Sequence, residues 1–318
     1  LKKIVILLIL ILSVSQSKPI SPIYEIEANG TVSDMVLYKD ELIIGTDRGV
    51  LQVYNHIENR FIKTITLPKI VDFIGDKLSA KIYSVDKIDS TYLILSNSGK
   101  SGYTNLSIYE NNQTKQLISP KDKMIAMKAR FIDSKYILLG LLGNEAILYD
   151  IESKKKIYQL SLGQSKFSDF ALNEDRTQAI FACESGVLTL IDTKRGRIIR
   201  ELKGQNVDNV YSVDIKKDIV VGAGQDRRGS IYSLSNDSGS YIEGSFLVYA
   251  TALSPSANIV AFAMDEQNSI YIYKPQTKEQ IAILSGQKSR LSSIIFQDEQ
   301  TLFSSSDDDT IMVWNIKQ

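Results

Sequence analysis

The sequence predicts an all-β fold, a seven-bladed β-propeller closed by an N-terminal strand that completes the last blade. Three observations carry that prediction: a unit of about 40 to 45 residues recurs seven times, apolar and polar residues alternate with period 2 and no helical period, and the final unit supplies only three strands. At 318 residues with 43% hydrophobic content, the chain is long enough for one large domain or two ordinary ones. Seven even units of about 43 residues fill residues 18–318 and leave no room for a second domain.

Residues 1–17, LKKIVILLILILSVSQS, combine a basic head at Lys2 and Lys3, an apolar run from Ile4 to Leu12, and small residues at Ser13, Ser15 and Ser17. That is the layout of a secretory signal peptide. Nine apolar residues as a helix span roughly 14 Å, about half a bilayer core, so a membrane anchor is disfavoured. The expectation is an exported chain, cleaved after Ser17, with no membrane insertion thereafter. The next segment, IYEIEA at 23–28, alternates like a strand yet belongs to no complete unit. Within a closing segment at 18–30 it is expected to pair with the last unit, removing the unpaired edge that three strands alone would expose.

The units themselves are marked by an alternating segment with a bulky residue as its last but one: LQVYN, LSIYE, ILYD, LTLID, IYSLS, IYIYK and IMVWN. Those residues are Tyr54, Tyr109, Tyr149, Ile191, Leu234, Tyr273 and Trp314, spaced by 55, 40, 42, 43, 39 and 41. The one long interval places an insertion of roughly 15 residues near LPKIVDFIGDKLSAKIYS, residues 67–84. A second series, out of phase with the first, runs through LSLGQ, ELKGQ and ILSGQ. Its glycines Gly163, Gly204 and Gly286 stand 41 and 82 apart, with Gly244 filling the gap.

These motifs resemble the WD40 repeat family. The closing VWN with Trp314, the SSSDDDTI turn before it and the Gly-Gln dipeptides, standing where that family has Gly-His, carry the resemblance. It spans residues 18–318 but is degenerate, with one Trp in seven places. The resemblance implies a hydrogen-bonded network inside each blade in which the family's histidine takes part.

The three adjacent carboxylates Asp307 to Asp309 fall in the turn between the second and third strands of the last unit. Gln225 to Gly229, Glu184 to Gly186, Gly143 to Glu145 and Asp47 to Gly49 occupy the same turn elsewhere. Aspartate bonds its own nearby backbone N–H groups and glycine tolerates positive φ, so the cluster reads as one version of a repeated turn and not as a metal cradle.

Little else has the makings of an active site. The charge balance, 37 basic against 37 acidic residues, gives no basic face for nucleic acid. A single histidine, His56, and a single cysteine, Cys183, are poor material for a zinc site or a Ser-His-Asp triad, and one cysteine forms no internal disulfide. GAGQDRR, from Gly222, fails the dinucleotide fingerprint because Arg227 stands at the third glycine. No cofactor, metal or catalytic residue is therefore assigned. The chain reads as a monomeric, non-enzymatic binding protein whose contacts lie on exposed loops. Gln225, Asp226, Arg227 and Arg228 are the candidate contacts, with two guanidinium groups suited to a partner's carboxylates. The rival classes are a propeller hydrolase or lactonase with a carboxylate-bound metal in the central funnel, and an envelope assembly scaffold.

Two sequons, EANGT at Asn29 and ENNQT at Asn112, carry an acid two residues before the asparagine and resemble the acceptor of bacterial oligosaccharyltransferases. Both are candidate glycosylation sites. Residues 206–269 further resemble the NapL proteins, exported WD-repeat accessories of periplasmic nitrate reductase. That resemblance implies a periplasmic location and protein contacts with nitrate reductase components, and it brings no catalytic motif.

Overall fold

Residues 18–317 are described by a computed structural model; the expected signal peptide at 1–17 lies outside the described residues. Seven four-stranded antiparallel sheets form the seven blades of a β-propeller, an architecture that supports a WD40-like repeat protein. Blades 1 to 6 occupy residues 32–66, 82–118, 126–161, 167–202, 210–243 and 251–284, and blade 7 takes 291–315 plus the N-terminal strand. Within blades 1 to 6 the chain runs from an inner strand, beside the central channel, outward to the fourth; in blade 7 it runs outward to the third, and the N-terminal strand is the fourth.

Burial differs by strand for a physical reason. A second strand such as Tyr136–Leu141 is buried at every position after the first, because neighbouring blades cover both of its faces. Such strands read as continuous apolar runs. An outer strand such as Arg60–Thr66 has one face toward solvent and keeps the strict alternation.

Closure follows the expectation from the sequence. Strand Tyr24–Glu27 pairs antiparallel with Thr310–Asn315, in the register Tyr24↔Val313, Glu25↔Met312, Ile26↔Ile311 and Glu27↔Thr310. Just upstream, the Ile20 N–H donates to the Ile283 carbonyl at 2.8 Å and the Ser285 N–H to the Ile20 carbonyl at 2.9 Å. The N-terminal segment therefore grips blade 6 before it completes blade 7. Gly286 makes this possible: a Cβ there would meet Pro22 at 3.1 Å and the Trp314 ring at 3.6 Å.

The core is divided among the blade interfaces. Each third-strand marker enters a different apolar cluster: Trp314 packs with Ile270, Ile272 and Leu284 of blade 6, Tyr54 with Phe303 and Val313 of blade 7, and Tyr149 with Leu93 and Leu106 of blade 2. Ile191 and Tyr273 do the same at their own interfaces, and Tyr109, partly buried, packs against another. In blade 5 the register corrects the sequence reading. Val220 faces Tyr232, as Leu302 faces Trp314 and Ile137 faces Tyr149. Tyr232, not Leu234, holds the marker position. The segment IYSLS has its aromatic two places earlier than its neighbours, and a pattern aligned by its alternation slips by one full period of 2.

The insertion between blades 1 and 2 is a small hairpin of its own, Ile70–Val71 paired with Lys77–Leu78.

Candidate interaction face

The loops joining outer to inner strands and the turns joining second to third strands share one face of the ring, because strand direction alternates within each blade. Aspartates in the turns tie these two sets of loops together. Asp47 Oδ1 accepts the Thr31 N–H at 2.9 Å, Asp226 Oδ2 the Val207 N–H at 2.7 Å, and Asp308 Oδ2 the Ser289 hydroxyl at 2.9 Å. Two carboxylates of the acidic triplet, those of Asp307 and Asp308, are engaged within the loops, and that of Asp309 is exposed. Asp308 Oδ1 also accepts the Thr310 N–H at 2.9 Å, closing its own turn, while Asp307 takes both Nε and Nη2 of Arg290 at 2.8 and 3.2 Å. The Asp309 carbonyl receives the Ala28 N–H of the closing segment at 2.7 Å.

Inside blade 7 a buried chain of hydrogen bonds links three elements. Trp314 Nε1 donates to Ser304 Oγ at 2.8 Å, Ser304 Oγ donates to Gln287 Oε1 at 2.8 Å, and Gln287 Nε2 donates to Ser306 Oγ at 2.6 Å. Gln287, the second residue of its Gly-Gln pair, thus joins the preceding loop to the second and third strands. The other two glutamines do not reproduce this. The Gln205 N–H donates to the Tyr232 hydroxyl at 3.2 Å, and Gln164 is exposed.

The four candidate contacts divide unequally. Arg227 sits in the left-handed region at φ 66°, is exposed, and makes one loose ion pair with Glu243 at 3.9 Å. Arg228 is spent within the chain: its guanidinium lies 4.3 Å from the Tyr241 ring centroid and donates to the Gln205 carbonyl at 3.2 Å. Asp226 Oδ1 accepts from Asn206 Nδ2 at 3.0 Å and from the Arg228 N–H at 3.2 Å. Gln225 Oε1 accepts the Tyr211 hydroxyl at 2.7 Å. Only one of the two guanidinium forks is therefore presented outward.

What Gln225 touches is a ledge of half-buried aromatics. Tyr211 stacks on Tyr249 at 5.4 Å, Phe246 lies against Tyr249 at 6.2 Å, and the Arg290 guanidinium covers Tyr249 at 5.1 Å. Burial, first, and then the neighbouring Tyr249 and Asp208 push the Tyr211 hydroxyl above the usual tyrosine range, so it stays a neutral donor at physiological pH. The ledge combines flat apolar area with hydroxyl and guanidinium groups, the composition enriched where proteins meet. The three aromatics are scattered over 39 positions in sequence, which hid them from a linear reading.

The channel is a polar cavity of about 640 Å³ lined by the seven inner strands. Its carboxylates hold the ring together. Asp34 Oδ2 accepts the Val85 N–H of the next blade at 2.8 Å, Asp86 Oδ2 the Phe131 N–H at 2.8 Å, Asp169 Oδ2 the Val213 N–H at 3.1 Å, and Asp214 Oδ2 the Leu253 N–H at 2.9 Å. Cations complete the set: Arg130 on Asp34, Arg176 on Asp86, and Lys128 on Asp169 at 2.5 Å. Among the described residues, no three His, Cys, Asp or Glu side chains converge as a group able to hold a metal ion. The sequence reading missed these clasps, though a signal was there: YSVD occurs at both 83–86 and 211–214, and Ser-Asp at 33–34 and 168–169.

Of the remaining residues singled out, Cys183 is buried with its Sγ 3.1 Å from Ser185 Oγ, and His56 Nε2 lies 3.4 Å from the Lys39 carbonyl. Asn112 is exposed at the tip of a hairpin in blade 2, at φ 60°, accepting from the Tyr109 hydroxyl at 3.1 Å. Asn29 is also exposed, but its backbone N–H is tied to Gln52 Oε1 at 2.6 Å within the closure.

No protein-family model matches the chain, and no curated protein matches it.

Proposed function

We propose that the protein is a non-enzymatic interaction platform, exported to the periplasm, that supports the maturation or activity of a periplasmic nitrate reductase by protein contact. One observation carries the interaction reading: the channel's charged groups are paired with one another, while the loop face presents a half-buried aromatic ledge and an exposed Arg227 held only by a loose ion pair with Glu243. A propeller whose loops are the variable part and whose sheets are scaffold binds through such a face. The nitrate reductase assignment rests on the likeness of residues 206–269 to the NapL proteins, a segment that contains Tyr211, Phe246, Tyr249 and the 225–228 turn.

The test is affinity capture of the tagged full chain from the periplasm of its native host during nitrate respiration. Recovery of nitrate reductase subunits supports the assignment, and their absence removes it. A Tyr249→Ala, Arg227→Glu variant that captures the same subunits equally well would show that this part of the face is not the contact.

A further inference from the structure

Four Asn-x-Ser/Thr sequons occur in the chain, at Asn29, Asn105, Asn112 and Asn236, and the fold treats them differently. Two have a carboxylate two places before the asparagine, Glu27 before Asn29 and Glu110 before Asn112. Tyr103 and Leu234 stand in that place before Asn105 and Asn236.

Asn112 is the second residue of the two-residue turn joining the third and fourth strands of blade 2, Thr104–Glu110 and Gln113–Ile118. Asn111 and Asn112 lie in the left-handed region at φ 51° and 60°, which a tight hairpin turn requires and asparagine tolerates. All five residues from Glu110 to Thr114 are exposed. Asn112 Oδ1 accepts the Tyr109 hydroxyl at 3.1 Å, and among the described residues its Nδ2, the atom that carries the sugar in an N-glycan, has no partner. The pairing is local: Glu110 faces Gln113, Tyr109 faces Thr114, and Gln113–Ile118 is the outermost strand of its sheet. Within 110–114 the one hydrogen bond leaving the hairpin runs from the Ser90 hydroxyl of the same blade to Glu110 Oε1, at 3.1 Å. The tip can therefore open without disturbing another blade, and openings of this kind lie at the low end of the local unfolding scale.

The other three sequons each lack something. Asn29 has the acid but is locked in the ring closure. Glu27 pairs with Thr310, the Ala28 N–H donates to the Asp309 carbonyl at 2.7 Å, the Asn29 N–H to Gln52 Oε1 at 2.6 Å and the Thr31 N–H to Asp47 Oδ1 at 2.9 Å. Gly30 between them is buried at φ 113°. Freeing residues 27–31 means opening the junction of blades 7 and 1. Asn236 is exposed in the corresponding turn of blade 5 but has no acid before it, and Asn105 has none either and sits in a strand between buried Thr104 and Leu106.

We propose that Asn112 is the one site at which the folded chain is N-glycosylated, by an oligosaccharyltransferase that requires the upstream acid. In that transfer the bond between the first sugar's C1 and a polyprenyl pyrophosphate breaks, and a bond from C1 to Asn112 Nδ2 forms. The polyprenyl pyrophosphate leaves with the electron pair, and one amide proton passes to a base of the transferase. The turn lies on the face opposite the aromatic ledge, because third-to-fourth turns and second-to-third turns emerge at opposite ends of a blade, so the glycan leaves the candidate interaction face open. The inference rests on the export in the reading above and not on the nitrate reductase contact.

The experiment recovers the tagged full chain from the periplasmic and cytoplasmic fractions of its native host and determines intact mass and modified peptides by mass spectrometry. In a second arm, folded chain made in a bacterium without a transferase is incubated with membranes containing a bacterial oligosaccharyltransferase and its polyprenyl-pyrophosphate-linked oligosaccharide. The expected result in both arms is a single glycan on the peptide containing Asn112. Glu110→Gln and Asn112→Gly, the latter suited to the left-handed turn, should each abolish it with the circular dichroism unchanged. A periplasmic chain bare at Asn112 overturns the inference and leaves export standing, whereas a chain found only in the cytoplasm removes the export reading and the inference with it. Equal occupancy at Asn29 overturns selection by the folded state, and occupancy at Asn236 overturns the requirement for the acid.

Discussion

Arg130 of blade 3 reaches past blade 2 to grip Asp34 of blade 1, with Nη1 2.8 Å from Oδ2 and Nη2 3.0 Å from Oδ1, although 96 residues separate them. On the way Nη1 also donates to the Ser84 hydroxyl and the Val85 carbonyl of blade 2, at 2.5 and 2.9 Å. One guanidinium thus binds three consecutive blades. Arg176 of blade 4 repeats the reach, holding Asp86 of blade 2 at 2.7 Å while donating to the Phe131 carbonyl of blade 3 at 2.6 Å. Burial alone would lower the Arg130 pKa, but Asp34, with Asp86 and Asp169 behind it, holds it above the ordinary arginine value. It is a permanent cation that needs its anion.

Removing that anion should therefore be severe. Asp34→Ala leaves the Arg130 charge and the Val85 N–H without their partner, an expected loss of about 3 to 5 kcal/mol for a broken buried pair. The double variant Asp34→Leu, Arg130→Met should recover much of the loss, because the uncompensated charge goes with it. Urea denaturation of the two variants checks this, and equal losses in both would mean that the pair's geometry matters more than its charge.

Trp314 is fully buried between blades 6 and 7 and donates to Ser304. Trp314→Ala should cost about 3 to 5 kcal/mol, the range for a large aromatic truncated in a core. Gln287→Ala should cost less, about 1 to 3 kcal/mol, since it strands buried hydroxyls without opening a large cavity. The order of the two melting temperatures tests the assignment of packing to the indole and polar satisfaction to the glutamine.

Deleting residues 18–30 should expose the Thr310–Asn315 edge now covered by Tyr24–Glu27. An unpaired, apolar edge strand recruits other chains. The expected outcome is concentration-dependent aggregation seen by light scattering, relieved when a peptide covering the deleted segment is supplied; a monomeric, soluble deletion variant would show that three strands suffice.

Stability should fall in alkali. Burial, followed by the nearby Tyr54, pushes the Tyr24 hydroxyl up to about 12, and burial followed by Tyr271 pushes Tyr273 up to about 12. Their folded pKa values exceed those of the unfolded chain, near 10. Their contribution is complete below pH 10 and is lost as pH rises from 10 through about 12, where the unfolded chain releases protons that the native one retains. Tyrosinate absorbance near 295 nm should accordingly lag in the native protein and rise together with unfolding. Full ionisation at pH 11 with native circular dichroism would contradict it.

The order of the seven units, the strand that closes them, the position of the insertion and the turn character of Asp307 to Asp309 could all be read along the chain. Each depends on periodicity or on local backbone chemistry, and such patterns survive in a linear string. The marker of blade 5 was misplaced by two residues because alternation fixes the face of a strand but not its rung; only pairing with Val220 identifies Tyr232. The Arg130 and Arg176 staples, the separation of exposed Arg227 from committed Arg228, and the Tyr211, Tyr249, Phe246 ledge were decided by tertiary structure alone. They exist because closing the ring sets the angle between blades, and that angle brings side chains from different blades within bonding distance.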